Sequence, residues 1–248
     1  MFDTVRILSL DFPLTPRREL LLTAHRLIGS KRAARIYTPN AEMAYRAARD
    51  PAFSALLHRA DLLLPDGVGI SMAAARQGVS LSRVSGIDFA EALLRTAPRP
   101  YRVFLLGAKP GIGAAAAREL SRRYARAEIV GVQDGYFPCE RSHTVAAAIA
   151  GMRPDLLFVC LGSPRQEQWI DTHAIPCLAM GLGGSLDVWA GEVKRAPAVM
   201  QRAGLEWLWR TARDPRRLAR LPALAGFAWR ALTEKVEDFS VNCEKTEP

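Results

Sequence analysis

The chain has 248 residues, 49% of them hydrophobic, which is ample for one large α/β core, and its 34 Lys and Arg outnumber 25 Asp and Glu to give +9, a balance that suits an anionic partner. Cys139, Cys160, Cys177 and Cys243 are far apart with no C-x-x-C pair, and His25, His58, His143 and His173 lack metal-ligand spacing, so a disulfide scaffold and a zinc site are excluded. The start, Met1 to Arg6, carries an early acid and no long apolar stretch, and no run approaches the roughly 20 apolar residues of a membrane span; the expectation is a cytoplasmic protein whose membrane contact is peripheral.

In chain order, the first predicted strand is residues 5–10, followed by Asp11-Phe12-Pro13-Leu14. A strand at 35–37 ends in Thr38-Pro39-Asn40, and Asn40 is a good cap for a helix over 41–59 that breaks near Pro51. The strand at 61–64 runs into Pro65-Asp66-Gly67 and a helix over 69–77, and a further helix covers 88–96. Strand 102–106 ends at Gly107 and opens helix 112–124; strand 128–132 leads to Asp134-Gly135 and helix 142–152. Strand 156–161 ends in Gly162-Ser163-Pro164 before helix 165–173, and strand 177–182 ends in the Gly-rich bend 181–184. After Pro197 the composition turns helical and basic, with Trp207, Trp209 and Trp229.

Most of these strands are apolar throughout, without in/out alternation, as in strands covered on both faces. Their alternation with helices predicts an α/β fold with a Rossmann-like, mostly parallel sheet flanked by helices. The shift near residue 195 divides the chain into an α/β core at 1–195 and a basic helical appendage at 196–248.

Ligands of open α/β sheets bind at the carboxyl ends of strands, and small and polar residues cluster there. A carboxylate at Asp66 can act as general base on an attacking hydroxyl, or can cap the following helix; spacing alone leaves both open. Gly107 to Gly113 can cradle a phosphate or form a plain turn; it is neither a Walker A loop nor G-x-G-x-x-G. Gln166 and Glu167 in a first helical turn can meet ligand hydroxyls, although an acid is favoured there by the helix dipole alone. Gly184 and Asp187 belong to a bend with room for a ligand. Arg210, Arg217 and Arg220 fall at i, i+7 and i+10, one helical face interrupted by Pro215, and suit a diphosphate or a solvated basic surface. Residues 221–232 suit either an interfacial amphipathic helix or one docked on the core.

In order along the chain stand Thr38 and Asn40, Asp66-Gly67, Arg83-Val84-Ser85-Gly86-Ile87-Asp88, the strand end 103–107, Gly135-Tyr136-Phe137, the run from Gly162 to Glu167, Arg195-Ala196-Pro197, and the run from Glu206 to Arg210. Over about residues 35–221 this series resembles the WecG/TagA/CpsF family of bacterial glycosyltransferases. The resemblance implies inverting transfer of a sugar from a UDP-sugar donor to a polyprenyl-diphosphate-linked acceptor, in wall teichoic acid, enterobacterial common antigen or exopolysaccharide synthesis. UDP-linked N-acetylmannosamine, its uronic acid and glucose are all donors compatible with it. It implies that Asp66 is the catalytic base, with Thr38 and Asn40 near the reacting groups and Arg83 and Gln166 at the pocket; the strand-end reading adds Gly107, Gly184 and Asp187 as substrate-binding candidates. Arg210, Arg217 and Arg220 then close over the diphosphate of the same chain's pocket. The chain departs from the family at Leu221, where an aromatic residue is common.

Inverting transfer needs a base on the acceptor and positive charge on the departing diphosphate. No Asp-x-Asp metal motif is present. Arginines can replace the metal, so the expectation is no cofactor and no metal, with action at the inner face of the cell membrane. Two other classes compete. A Rossmann-type nucleotide-cofactor enzyme requires a Gly-rich fingerprint after the first strand, which the region after Leu10 lacks. A non-catalytic membrane or nucleic-acid binding module requires basic and aromatic residues spread independently of the strand ends. Here the most concentrated basic run is the appendage, while the strand ends carry Asp, Asn, Gln and Gly, so no nucleic-acid partner is expected.

Overall fold

The computed structural model describes residues 3–202, 205–213 and 215–233. Its first two strands, β1 (Thr4–Ile7) and β2 (Leu10–Pro13), correct the reading of residues 5–10 as part of the main sheet: they pair antiparallel in a separate hairpin. Val5, Ile7, Leu10 and Phe12 are buried on one face, while Arg6 and Asp11 pair outside at 2.9 Å. This alternation marks a ribbon with one wet face. The next element, α1 (Arg17–Gly29), is absent from the sequence reading; it buries Leu20, Ala24 and Ile28, spaced every four residues.

The remaining strands are β3 (Ala34–Tyr37), β4 (Leu62–Leu63), β5 (Tyr101–Gly107), β6 (Ala127–Gln133), β7 (Leu156–Cys160) and β8 (Leu178–Gly181). They form one six-stranded sheet in the order β4-β3-β8-β7-β5-β6, parallel throughout. The α/β, Rossmann-like class expected from the alternation is what the chain adopts. The helices are α2 (Ala41–Ala47), α3 (Pro51–His58), α4 (Val68–Arg76), α5 (Gly86–Arg95), α6 (Ile112–Arg123), α7 (Ser142–Gly151), α8 (Arg165–His173) and the short α9 (Ser185–Trp189). Asn40 caps α2 by accepting from Met43 N–H at 3.0 Å, and Asp50 caps α3 in the same way with Pro51 following it. The break expected near Pro51 is therefore a second cap.

Each central strand is buried on both sides. Tyr37, Phe104, Leu106, Leu157 and Val159 face a layer built from α2, α3, α4, α7, α8 and the hairpin. Ile36, Val103, Leu105, Phe158 and Met180 face α1, α5, α6 and α9. At the amino-terminal edge, Asp155 is almost fully buried and accepts from Arg99, Lys31 and the Arg102 N–H. Burial raises its carboxyl pKa, but those bonds outweigh burial and hold it well below the usual carboxylate range.

Beyond Pro197 come α10 (Ala198–Arg202), α11 (Glu206–Arg213), a 3-10 segment (Pro215–Arg220) and α12 (Leu221–Thr233). α12 is docked on the core, with Phe227 buried. A Cβ on Gly226 would lie 2.3 Å from the Tyr45 ring, so only glycine permits this approach. Arg76 of α4 donates to the Ala231 and Leu232 carbonyls, and Arg230 of α12 donates to the Ala48 carbonyl at 3.2 Å. Each arginine thus satisfies the open carbonyl end of the other helix or its neighbour.

Candidate active site

Because the sheet is parallel, β3, β4, β7 and β8 deliver their carboxyl ends to one rim. The cleft there has a volume of about 1680 Å³. That exceeds the roughly 300–1000 Å³ typical of a pocket for one small molecule. Its lining includes Thr38, Asn40, Asp66, Arg83, Gln166, Gly184, Asp187 and Arg220.

Local geometry places the acid. After β4 the chain turns through Pro65, and the Asp66 N–H donates to the Pro39 carbonyl at 3.1 Å. The turn after β4 is therefore tied to the turn after β3. Gly67 has φ +85°, a conformation that favours glycine, and starts α4 with no side-chain cap. Val84 N–H donates to the Pro65 carbonyl at 2.8 Å, which brings Arg83 and Ser85 to the same wall. Thr38 donates its hydroxyl to the Gly181 carbonyl at 3.1 Å, joining the ends of β3 and β8. Asn40 has its side-chain oxygen committed to the α2 cap, which orients its amide group.

The sequence matches the Glycosyl transferase WecG/TagA/CpsF family over residues 5–240. The chain belongs to that family. It is 39% identical to an N-acetylglucosaminyldiphosphoundecaprenol N-acetyl-beta-D-mannosaminyltransferase of Bacillus spizizenii, over 78% of this chain and 77% of that protein. Proteins of the same name in Bacillus subtilis and Staphylococcus aureus are 37% and 32% identical, over 84% and 93% of this chain and 82% and 93% of theirs. The enzyme is therefore a glycosyltransferase.

Within this WecG/TagA/CpsF member, the site residues expected from the sequence separate by position. Gly107 does not line the cleft. Its φ is +126° and a Cβ there would lie 2.3 Å from the Cys160 carbonyl oxygen, so the glycine answers to packing of β5 on β7. Gln166 lines the cleft floor but is buried, with both ends of its amide occupied. Its Oε1 accepts from Gly183 N–H at 2.9 Å and its Nε2 donates to Glu167 Oε1 at 2.7 Å. It acts on the Gly-rich bend rather than facing open space. Burial pushes the Glu167 carboxyl above the usual range, against the lowering effect of the Gln166 bond. Arg220 lies at the rim, 3.4 Å from Glu42. Arg210 and Arg217 fall in α11 and the 3-10 segment, and their side chains lie outside the described residues.

The sequence reading missed the α2 wall. Glu42, Arg46 and Arg49 line the cleft at spacing i, i+4 and i+7, a polar stripe that directly follows a strand end and was there to be read. Met72 and Arg76 of α4 and Phe227 of α12 complete that side, and Glu206, Trp207 and Thr211 of α11 form another part of the wall.

Proposed function

We propose that this glycosyltransferase moves an N-acetylmannosamine-type sugar from its UDP conjugate to a polyprenyl-diphosphate-linked saccharide, with inversion and without a metal. The carrying observation is the placement of Asp66, Thr38 and Asn40 on one wall of a cleft that also presents Arg83, Arg46 and Arg220. Asp66 takes the proton of the acceptor hydroxyl as its oxygen attacks the anomeric carbon. The bond from that carbon to the phosphate oxygen breaks, and the electron pair leaves with UDP. Guanidinium groups at the cleft receive the diphosphate charge, a role for which their forked donors are suited. The arginines of the cleft can supply the positive charge that a metal would otherwise bring to the leaving group.

The names of the relatives support the acceptor and donor class: all three are N-acetylmannosaminyltransferases acting on N-acetylglucosaminyldiphosphoundecaprenol. Among the described residues no helix is long and apolar enough to cross a membrane. Leu218 and Trp229 are exposed on or beside α12, outside the cleft lining, and this favours peripheral contact with a membrane. A cytoplasmic enzyme at the inner face of the membrane follows from that reading.

The test is a panel of UDP-sugars offered with a short-chain lipid-diphosphate N-acetylglucosamine, with products weighed by mass spectrometry. The expected product gains one N-acetylhexosamine, and UDP raises the melting temperature where NAD does not. Absence of transfer from every UDP-sugar to the lipid-linked acceptor overturns the proposal.

A further inference from the structure

Three charged residues belong to family motifs but have no part in the proposed chemistry: Asp88, Arg195 and Glu206. The structure brings them together. The Arg195 guanidinium grips Asp88 in a fork, Nη1 to Oδ1 at 2.5 Å and Nη2 to Oδ2 at 3.2 Å. The same Nη2 lies 3.7 Å from Glu206 Oε2. The Asp88 end is fixed to the core. It stands in the first turn of α5, immediately after Arg83 and Ser85 of the cleft wall, and Arg17 donates to its carbonyl. The Glu206 end opens α11, whose Glu206, Trp207 and Thr211 line the cleft. Neither Asp88 nor Arg195 lines it.

We propose that Arg195 is a positioning residue that sets where α11 stands over the cleft by bridging Asp88 of the core to Glu206. The two contacts are unequal. The two-pronged grip on Asp88 holds the arginine in one orientation. The longer approach to Glu206 is a single contact and the weaker one. Arg195 therefore stays with α5 while α11 is the element that gains or loses its place. Burial pushes the Asp88 carboxyl up, but the Arg195 bond and the charges of Arg195, Arg17 and Arg83 outweigh it, so Asp88 remains an anion able to hold the fork. Lysine cannot do this, because a single ammonium lacks the fork that spans two carboxylates.

The experiment compares Arg195→Met, Glu206→Gln and the double variant in the full chain. Hydrogen exchange is followed over residues 206–213 and over α5, and kcat and KM are measured with a UDP-sugar and lipid-diphosphate acceptor. Loosening α11 should speed exchange at 206–213 while α5 keeps its protection. Misplacing a cleft wall should lower kcat/KM about 10- to 100-fold, with the melting temperature nearly unchanged. The loss in the double variant should be smaller than the product of the two single losses, since both single changes remove the Arg195–Glu206 contact. Arg195→Lys should recover only part of the activity. Unchanged exchange at 206–213, losses that multiply, or wild-type kcat/KM in Arg195→Met would each overturn the inference. If Arg195→Met does not fold, Glu206→Gln leaves the Asp88 fork intact and carries the same comparison. The kinetic arm rests on the proposed reaction, but the exchange arm does not, so an inactive wild-type chain would remove the reaction and leave the bridge to be decided by exchange.

Discussion

At residue 66, exchanging one carboxylate oxygen for an amide nitrogen removes the proton acceptor and keeps the size of the side chain. Asp66→Asn should lower turnover by about 10²- to 10⁴-fold, the range for loss of a general base, while UDP affinity measured by calorimetry stays within a few-fold. Near-normal turnover would rule Asp66 out as the base. Asp66, Thr38 and Asn40 were legible in the sequence because each follows an apolar run, and a parallel sheet collects such positions on one rim. Gly107 follows a strand too, but the sequence carries no record that Cys160 lies across from it, so a packing glycine looks like a ligand loop. Gln166 was legible as a cleft residue, whereas the bond its amide oxygen accepts from Gly183, in the bend after β8, is visible only in three dimensions. Asp155 makes a prediction of a different kind. Its folded pKa is depressed, so its contribution to stability is fully present above the unfolded value near 4 and is lost as pH falls toward the folded one. Asp155→Asn should cost roughly 2–3 kcal/mol at pH 7, a charged hydrogen-bond network lost but its partners Lys31 and Arg99 half-exposed and rehydrated. In denaturant titrations the gap from wild type should narrow below about pH 4. A gap that stays constant to pH 2 would show that charge is not what Asp155 contributes.

Elements were legible where one physical signal dominated. The cap at Asn40, the proline at 51 and the apolar runs of β5 and β7 predicted their elements to within a few residues. The hairpin was misplaced because residues 5–10 contain Leu8 and Ser9 in the turn, which makes two short alternating strands look like one continuous run. α1 was missed because Leu20, Leu21 and Leu22 stand together and blur the helical period, although Leu22 points to solvent. α12 left two readings open, an interfacial helix or a docked one. The structure docks it, with Phe227 against Gly69 and the two arginines crossing between helices, and the exposed Trp229 and Leu232 remain for other contacts. α12 is thus packed on the core while belonging to the segment after residue 195. Phe227→Ala should cost about 3 kcal/mol, as for other buried phenylalanines, and should make the segment after residue 197 sensitive to protease in the folded state. Stability and protease resistance equal to wild type would mean that α12 leaves the core in solution.

On the scale of the whole molecule, one topological fact organises the rest. All six strands point the same way, so their carboxyl ends share a rim, and only that rim can gather a carboxylate from β4, a hydroxyl from β3 and the backbone of β8 in one cleft. Arg46, Arg49, Arg76, Arg83 and Arg220 line this cleft, matched in number by Glu42, Asp50, Asp66, Asp187 and Glu206. These five carboxylates come from separate elements and do not assemble into a ligand set among the described residues. Arginine, always charged and needing no bound ion, can supply the charge that a divalent metal would otherwise bring to the departing UDP. Transfer in excess EDTA should therefore proceed at the rate seen without it, and added Mg²⁺ should change that rate by less than about two-fold. Raising the salt from about 50 to 500 mM should weaken UDP binding, since guanidinium contacts at an open cleft are screened over a Debye length that shrinks below about 5 Å. Loss of transfer in chelator that Mg²⁺ restores would give the charge-stabilising role to a metal and leave the arginines to orient the substrate.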